Sequence, residues 1–339
     1  MLETTVGDLF RRAIRYYGER VAVRHGARAL TYHDLGEQVN RLANALLGLG
    51  LTRGDRVALL MWNCPEYVSC DFAVATAGLV KVPLNPLLTR DEVAFRIQDS
   101  EALAIICDES FSGMVVELVA ECPSLKHRIC IVEGKRGAPE SLTAFDRLVA
   151  QGSSRDPGVL VLYEDLIGIM YTGGTTGKSK GVMHTHKSVL AIAFSEIVEW
   201  DIGHREVLLQ MAPLPHATQF MLLPALLRGG THVLMRKYDP DEMLRTVEQQ
   251  RVSWTFMVPT MIYVLLGDPA LEKYDHTSLR TVLYGAAPMS PDKLERAIER
   301  LGPVFLQAYS QMEVANQTTT LTKEDHVEAL AKARVRLSS

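Results

Sequence analysis

The feature that most restricts the fold is an alternation of short apolar runs with amphipathic segments along most of the chain. Arg56 to Met61 reads as a buried strand and Pro65 to Ala77 as a helix, with apolar positions at Tyr67, Val68, Phe72, Val74 and Ala75. Val80 to Pro83 is strand-like, Arg90 to Gln98 helical, Ala102 to Cys107 strand-like and Ser112 to Ala120 helical. The pattern resumes with a helix from Ser188 to Glu199, a strand at Thr231 to Met235 and a helix at Pro240 to Gln249. Trp254 to Met257, Thr260 to Leu266, Arg280 to Tyr284, Pro291 to Arg300 and Val304 to Gln307 then read as strand, helix, strand, helix and strand. Strands separated by helices pair in parallel, so the expected class is α/β with mainly parallel sheets flanked by helices.

Two turn-rich polar stretches, Glu133 to Pro139 and Gln151 to Gly158, interrupt the alternation. A boundary is placed there, giving an N-terminal α/β subdomain over 1–158 and a second α/β subdomain over 159–339. A chain of 339 residues has length for two or three lobes. Its last stretch, Thr322 to Ser339, is polar and helix-prone and reads without turn chemistry or a packed strand that would close a domain.

Composition removes several function classes. The net charge of -4 comes from 36 basic and 40 acidic residues spread without a Lys/Arg run, which argues against a nucleic-acid surface. No apolar run reaches the roughly 18 residues that span a bilayer, and Leu2 to Val6 lacks the basic start of a secretory signal. The five cysteines form no C-x-x-C pair and read as buried thiols of a reducing compartment, so the expected location is cytoplasmic.

The segment Tyr171-Thr172-Gly173-Gly174-Thr175-Thr176-Gly177-Lys178-Ser179-Lys180-Gly181 follows the apolar run Leu166 to Met170. Its glycines let backbone N–H groups approach an anion, its threonines add hydroxyl donors and its lysines add mobile charge, so it reads as a cradle for nucleotide phosphates. The P-loop pattern G-x-x-x-x-G-K-[ST] is satisfied at Gly177-Lys178-Ser179 but would need glycine at Thr172. Val182 to His186 also alternates like a strand, where a P-loop feeds a helix.

The order Tyr171, Thr172, Gly174, Thr175, Thr176, Gly177, Lys180, Gly181, Val182 and His186 resembles the phosphate-loop signature of adenylate-forming enzymes, the acyl-CoA synthetases, peptide-synthetase adenylation domains and firefly-type luciferases. Gly173 and Ser179 stand where that family usually has Ser and Pro. Three more segments follow in the family's order. Pro213-Leu214-Pro215-His216 resembles Pro-Leu-Phe-His, whose histidine lies beside the acyl pocket; alone, His216 would read as a loop histidine. Tyr284-Gly285-Ala286-Ala287-Pro288 resembles the turn that lines adenine and the acyl carboxylate, where small side chains leave a slot for a flat ring, although Ser290-Pro291 also suits a plain helix start. Gln307 to Glu313 resembles x-Gly-Tyr-Gly-x-Thr-Glu, in which Tyr309 stacks on adenine and Glu313 holds Mg²⁺. Ala308 and Ser310 replace glycines there, and Met312 replaces a threonine. Weaker echoes at Leu30 to Leu35, Gly54 to Ala58 and Val82 to Pro86 read as scaffold.

The resemblance implies stacked, mainly parallel sheets and a two-step reaction. A carboxylate attacks the α-phosphate of ATP to give acyl-AMP and pyrophosphate, and a thiol, usually that of CoA, then takes the acyl group. It assigns Lys180, His216 and Glu313 as catalytic, and Thr172, Gly173, Gly174, Thr175, Thr176, Gly177, Lys180, Gly285, Ala286, Ala287, Pro288 and Tyr309 as nucleotide-binding. The substrate is expected to be a fatty or aromatic acid, because Met221 to Leu227 and Met257 to Leu265 are apolar and carry no charge for a substrate amine. A homodimer is compatible with these features. The family's Thr-Gly-Asp segment, hinge and small lobe with an adenylation lysine find no match here, so the chain reads as the large N-terminal portion of such an enzyme with the C-terminal lobe absent. Two alternatives stay open at this point, a P-loop-like NTPase and a non-catalytic nucleotide-binding or scaffold protein of the same fold.

Overall fold

A computed structural model describes residues 4–132, 137–172, 179–314 and 318–338. Its strands are β1 (Val21–His25), β2 (Arg28–Thr31), β3 (Arg56–Leu60), β4 (Val80–Leu84), β5 (Ala104–Asp108), β6 (His127–Ile131), β7 (Thr143–Ala144), β8 (Leu166–Tyr171), β9 (Gly181–Thr185), β10 (Val207–Gln210), β11 (Thr231–Leu234), β12 (Trp254–Met257), β13 (Thr281–Gly285), β14 (Phe305–Tyr309) and β15 (Thr319–Leu321). They form one sheet in the order β7-β6-β5-β3-β4-β8-β9 and another in the order β15-β14-β13-β12-β10-β11-β1-β2. Pairing is parallel except at β8–β9, β1–β2 and β14–β15. The α/β class with mainly parallel sheets flanked by helices is therefore what the chain adopts.

The helices begin where local chemistry lets them. Thr5 with Asp8, Thr31 with Asp34 and Thr89 with Glu92 each form a reciprocal capping box, satisfying N–H groups that a helix start leaves orphaned. Helix Pro65–Thr76 contacts β3 and β4 of one sheet and β1 of the other. All twelve of its residues are buried, and its two carboxylates are paired, Glu66 with Arg28 at 2.7 Å and Asp71 with Lys81. Phe72 on this helix stacks on Phe10 of helix Val6–Tyr17 with ring centroids 4.3 Å apart.

Sheet membership does not follow sequence position around residue 158. Strands β1 and β2 extend the sheet otherwise built from β10 to β15, whereas β8 and β9 close the edge of the sheet built from β3 to β7. The stretch read as helix-prone from Thr322 does form a helix, but with capping chemistry and packing that its sequence reading lacks. β15 pairs antiparallel with β14, and Thr322 and Asp325 cap helix Lys323–Ser338 through a 2.9 Å bond from the Thr322 N–H and a 3.1 Å bond back to the Thr322 hydroxyl. His326 is buried, 2.8 Å from the Tyr284 hydroxyl, and the Lys323 ammonium donates to Asp201 and Thr281 at 2.8 Å each. Polar residues hide this packing from a hydrophobic pattern, because the attachments of the helix's first turn are hydrogen bonds made by Lys323 and His326.

All five cysteines are free and buried. No helix among the described residues is long and apolar enough to cross a membrane.

Candidate active site

In a parallel sheet the carboxyl ends of the strands share one edge, and ligands bind outside it. The strands β14, β13, β12 and β10 are neighbours and parallel. Three of the segments singled out above leave from those ends: Pro213 to His216 after β10, Ala286 to Pro288 after β13, and Ser310 to Glu313 after β14. Register fixes two of them side by side, with Tyr284 opposite Gln307 and Gly285 opposite Ala308. A Cβ on Gly285 would stand 2.5 Å from the Ala308 carbonyl oxygen, so glycine is what permits this approach. The next residue, Ala286, has φ +66°, a left-handed conformation that an L-alanine adopts at a cost on the order of 1 kcal/mol.

The Gly/Thr segment connects β8 to β9 as a hairpin. Gly173, Gly174, Thr175, Thr176, Gly177 and Lys178 lie outside the described residues. The loop's base is described: the Thr172 N–H donates to the Lys180 carbonyl at 3.0 Å, and the Ser179 hydroxyl donates to the Thr172 carbonyl. Thr172 is half-buried and Lys180 is exposed. A Cβ on Gly181 would meet Ile169 Cγ2 at 2.7 Å, which gives a packing reason for glycine there. Tyr171, at the start of the signature, is structural here: its buried hydroxyl donates to Asp99 at 2.6 Å, and burial and that carboxylate push its pKa up.

His216 leads into the 3-10 turn Ala217–Met221. Its side chain reaches solvent, yet enclosure by the protein and, secondarily, Arg96 lower its pKa, which keeps the imidazole neutral near pH 7. The anchor of this segment is Asn63, which sequence reasoning misses. Buried just past the end of β3, it accepts from the Leu214 N–H at 2.8 Å and donates to the carbonyls of Ala212 at 2.9 Å and Met235 at 3.1 Å. Its only sequence signal is a lone polar residue in Met61-Trp62-Asn63-Cys64-Pro65, between a buried strand and a helix start.

Of the remaining residues, Gly285 and Ala286 line a cavity of about 150 Å³, and Ala287, Pro288, Tyr309 and Glu313 are not among its lining. Buried Trp200, Met221, Phe256 and Leu283 form one part of its lining, and Gly285, Ala286 and Met312 are among the residues of another. Tyr309 presents an exposed ring, with 56% of its surface free, at the end of β14. Ala287, Pro288 and Glu313 are exposed as well. His184 on β9 is buried; burial lowers its pKa, and the Met312 backbone and the Glu313 charge partly offset that shift. This proximity brings β9 of one sheet next to the Met312–Val314 turn of the other. Of the two apolar stretches expected to form the acid pocket, only Met221 lines this cavity; Leu222 to Leu227 and Met257 are core. Trp200, at the end of helix His186–Glu199, carries no sequence signal of a site, because a helix-terminal tryptophan reads as ordinary core.

The family model described as AMP-binding enzyme matches residues 10–334. The chain is 33% identical over 330 residues to a medium/long-chain-fatty-acid–CoA ligase, FadD8, of Mycobacterium tuberculosis, covering 95% of this chain and 57% of that protein. It is 36% identical over 326 residues to a feruloyl-CoA synthase of an Amycolatopsis species, covering 96% and 62%. Among solved structures, the inhibitor-bound N-terminal domain of FACL13 from M. tuberculosis superposes with a TM-score of 0.85 at 26% identity, covering 96% of this chain and 80% of that one. The chain thus spans about six-tenths of the length of these two curated relatives.

Proposed function

The chain belongs to the AMP-binding enzyme family, and we propose that it binds ATP and a carboxylic acid and takes part in activating the acid as acyl-AMP for transfer to CoA. The observation that carries this reading is the shared strand edge, where the Tyr309 ring stands exposed and the small residues Gly285 and Ala286 line an apolar cavity. A flat base can lie on the first two, and the apolar part of an acid can enter the third.

In the reaction, a carboxylate oxygen forms a bond to the α-phosphorus of ATP while the bond to pyrophosphate breaks. A thiolate then attacks the acyl carbon and AMP leaves. Negative charge grows on phosphate oxygens in the first step, and Lys180, Thr172 and the loop residues are assigned to bind it. Neutral His216 can orient the carboxylate by donating one N–H. Among the described residues no group of three His, Cys, Asp or Glu could hold a metal ion. Mg²⁺ commonly takes one or two carboxylates and fills its sphere with phosphates and water, and Glu313 is the carboxylate assigned to it. The ion would supply neutralisation of phosphate charge. Relatives named as fatty-acid–CoA ligase and feruloyl-CoA synthase support CoA as the acceptor and a fatty or aromatic acid as the substrate.

The P-loop alternative fails on geometry, because the chain leaves the Gly/Thr loop as strand β9, antiparallel to β8. The test is carboxylate-dependent exchange of labelled pyrophosphate into ATP by the full-length gene product, since this chain reads as its ATP- and acid-binding portion. Exchange that requires an acid is expected, and Lys180→Ala should lower it on the order of 100-fold. ATP hydrolysis indifferent to acid would overturn the reading.

A further inference from the structure

Accepting acid activation at this edge, we infer that the acid is a compact aromatic one, a single ring carried on the carboxylate directly or through a short linker, and that Trp200 sets this limit. The cavity is small: an engineered apolar cavity of about 150 Å³ in another protein holds one benzene molecule, and the cavity here has that volume. Its inner lining is backed by packed core: Trp200 and Met221 are each 1% exposed, Leu283 is fully buried, and all three belong to one hydrophobic cluster with Leu208, Ala225 and Trp254, which stands where a longer acyl chain would have to run. The lining also suits a ring better than an alkyl chain of equal volume. Trp200 and Phe256 can pack edge-to-face or offset against an aromatic ring, and Met221 and Met312 bring sulfur atoms that favour ring edges. The opposite side reaches exposed Ala286 and Gln311, where a carboxylate can stay in water and meet ATP.

Trp200 is the side chain whose removal would lengthen the cavity most, since it is the largest in the lining. Its indole N–H is buried and has no hydrogen-bond partner among the described residues, so replacing the ring breaks no such bond. The bond that Trp254 Nε1 donates to residue 200 goes to the backbone carbonyl at 3.0 Å and survives substitution.

The experiment measures binding of benzoate, cinnamate, decanoate and palmitate by calorimetry, with and without ATP, for the unaltered protein and for Trp200→Phe and Trp200→Ala. The expected result is that benzoate or cinnamate binds the unaltered protein at least about tenfold more tightly than either fatty acid, since forcing a longer chain into a filled site is costly. Trp200→Phe should keep that preference, and Trp200→Ala should narrow or reverse it. Tighter binding of decanoate or palmitate by the unaltered protein would overturn the inference while leaving acid activation intact, and this measurement needs no variant to fold. An unchanged preference in a folded Trp200→Ala protein would overturn the role of Trp200. Binding of ATP with no acid of either kind would overturn the acid-activation reading and the inference with it.

Discussion

His186 ends the Gly/Thr signature, and its ring is fully buried, with Nδ1 accepting from the Val6 N–H at 3.2 Å. His232 is equally buried, set between the Gln210 side chain at 3.3 Å and the Leu222 carbonyl at 3.1 Å. Burial lowers both to about 4 from an ordinary 6.5. The unfolded chain therefore binds more protons than the folded one between pH 6.5 and 4, and stability must fall as pH falls through that window, by up to roughly 3 kcal/mol per histidine. Urea midpoints at about pH 7 and about pH 4.5 check this, and His186→Asn, which keeps an acceptor but cannot titrate, should remove part of the loss. A flat profile would contradict it. The carboxylates lowered at helix caps, such as Asp8 and Asp34, have ordinary values of 3.8 and act below this window. Gly285 makes a second prediction: Gly285→Ala places a methyl against the Ala308 carbonyl, which a strand cannot move aside, so a loss of about 1–3 kcal/mol is expected in thermal denaturation. The glycine is visible in the sequence; that its neighbour is the backbone of residue 308 is not, because that contact is set by strand pairing.

Between strands and helices, the site depends on how loops are tied down. Asn63 holds the Pro213 to His216 segment through buried bonds to Leu214, Ala212 and Met235, joining the end of β3 in one sheet to loops of the other. Asn63→Ala leaves those backbone groups without partners, and a destabilisation of roughly 2–3 kcal/mol is expected. It should also weaken acid-dependent exchange more than ATP binding, because the displaced histidine lies on the acid's side in the proposed reading. Equal loss of both would point to general unfolding instead. Most elements are readable in advance: β12 runs from Trp254 to Met257 as its apolar run indicates, and helix Pro240–Gln250 ends one residue beyond its reading. Apolar periodicity reports burial directly, so such elements are legible. Asn63 is not, since nothing local distinguishes an asparagine bonded across the molecule from one in a surface turn.

Across the molecule, the two sheets exchange strands. β1, from the first part of the chain, pairs with β11, while β8 and β9 complete the sheet built from β3 to β7. A chain cut between residues 152 and 158 should thus hold its fold only while both pieces stay associated. Far-UV circular dichroism of residues 159–339 alone should show less structure than the mixture, and an independently folded, cooperatively melting piece would refute this. Local chemistry along the chain is enough to establish the α/β class and the order of most elements, because helix periods and buried strands follow from neighbouring side chains; the four segments assigned to the site come from resemblance to a known family. Folding in three dimensions was needed to learn which sheet each strand joins, that Asn63 anchors the His216 segment, and that Trp200 closes a cavity of ring size. Those depend on contacts between residues far apart in the chain, and no local pattern encodes which distant partner a buried residue will meet.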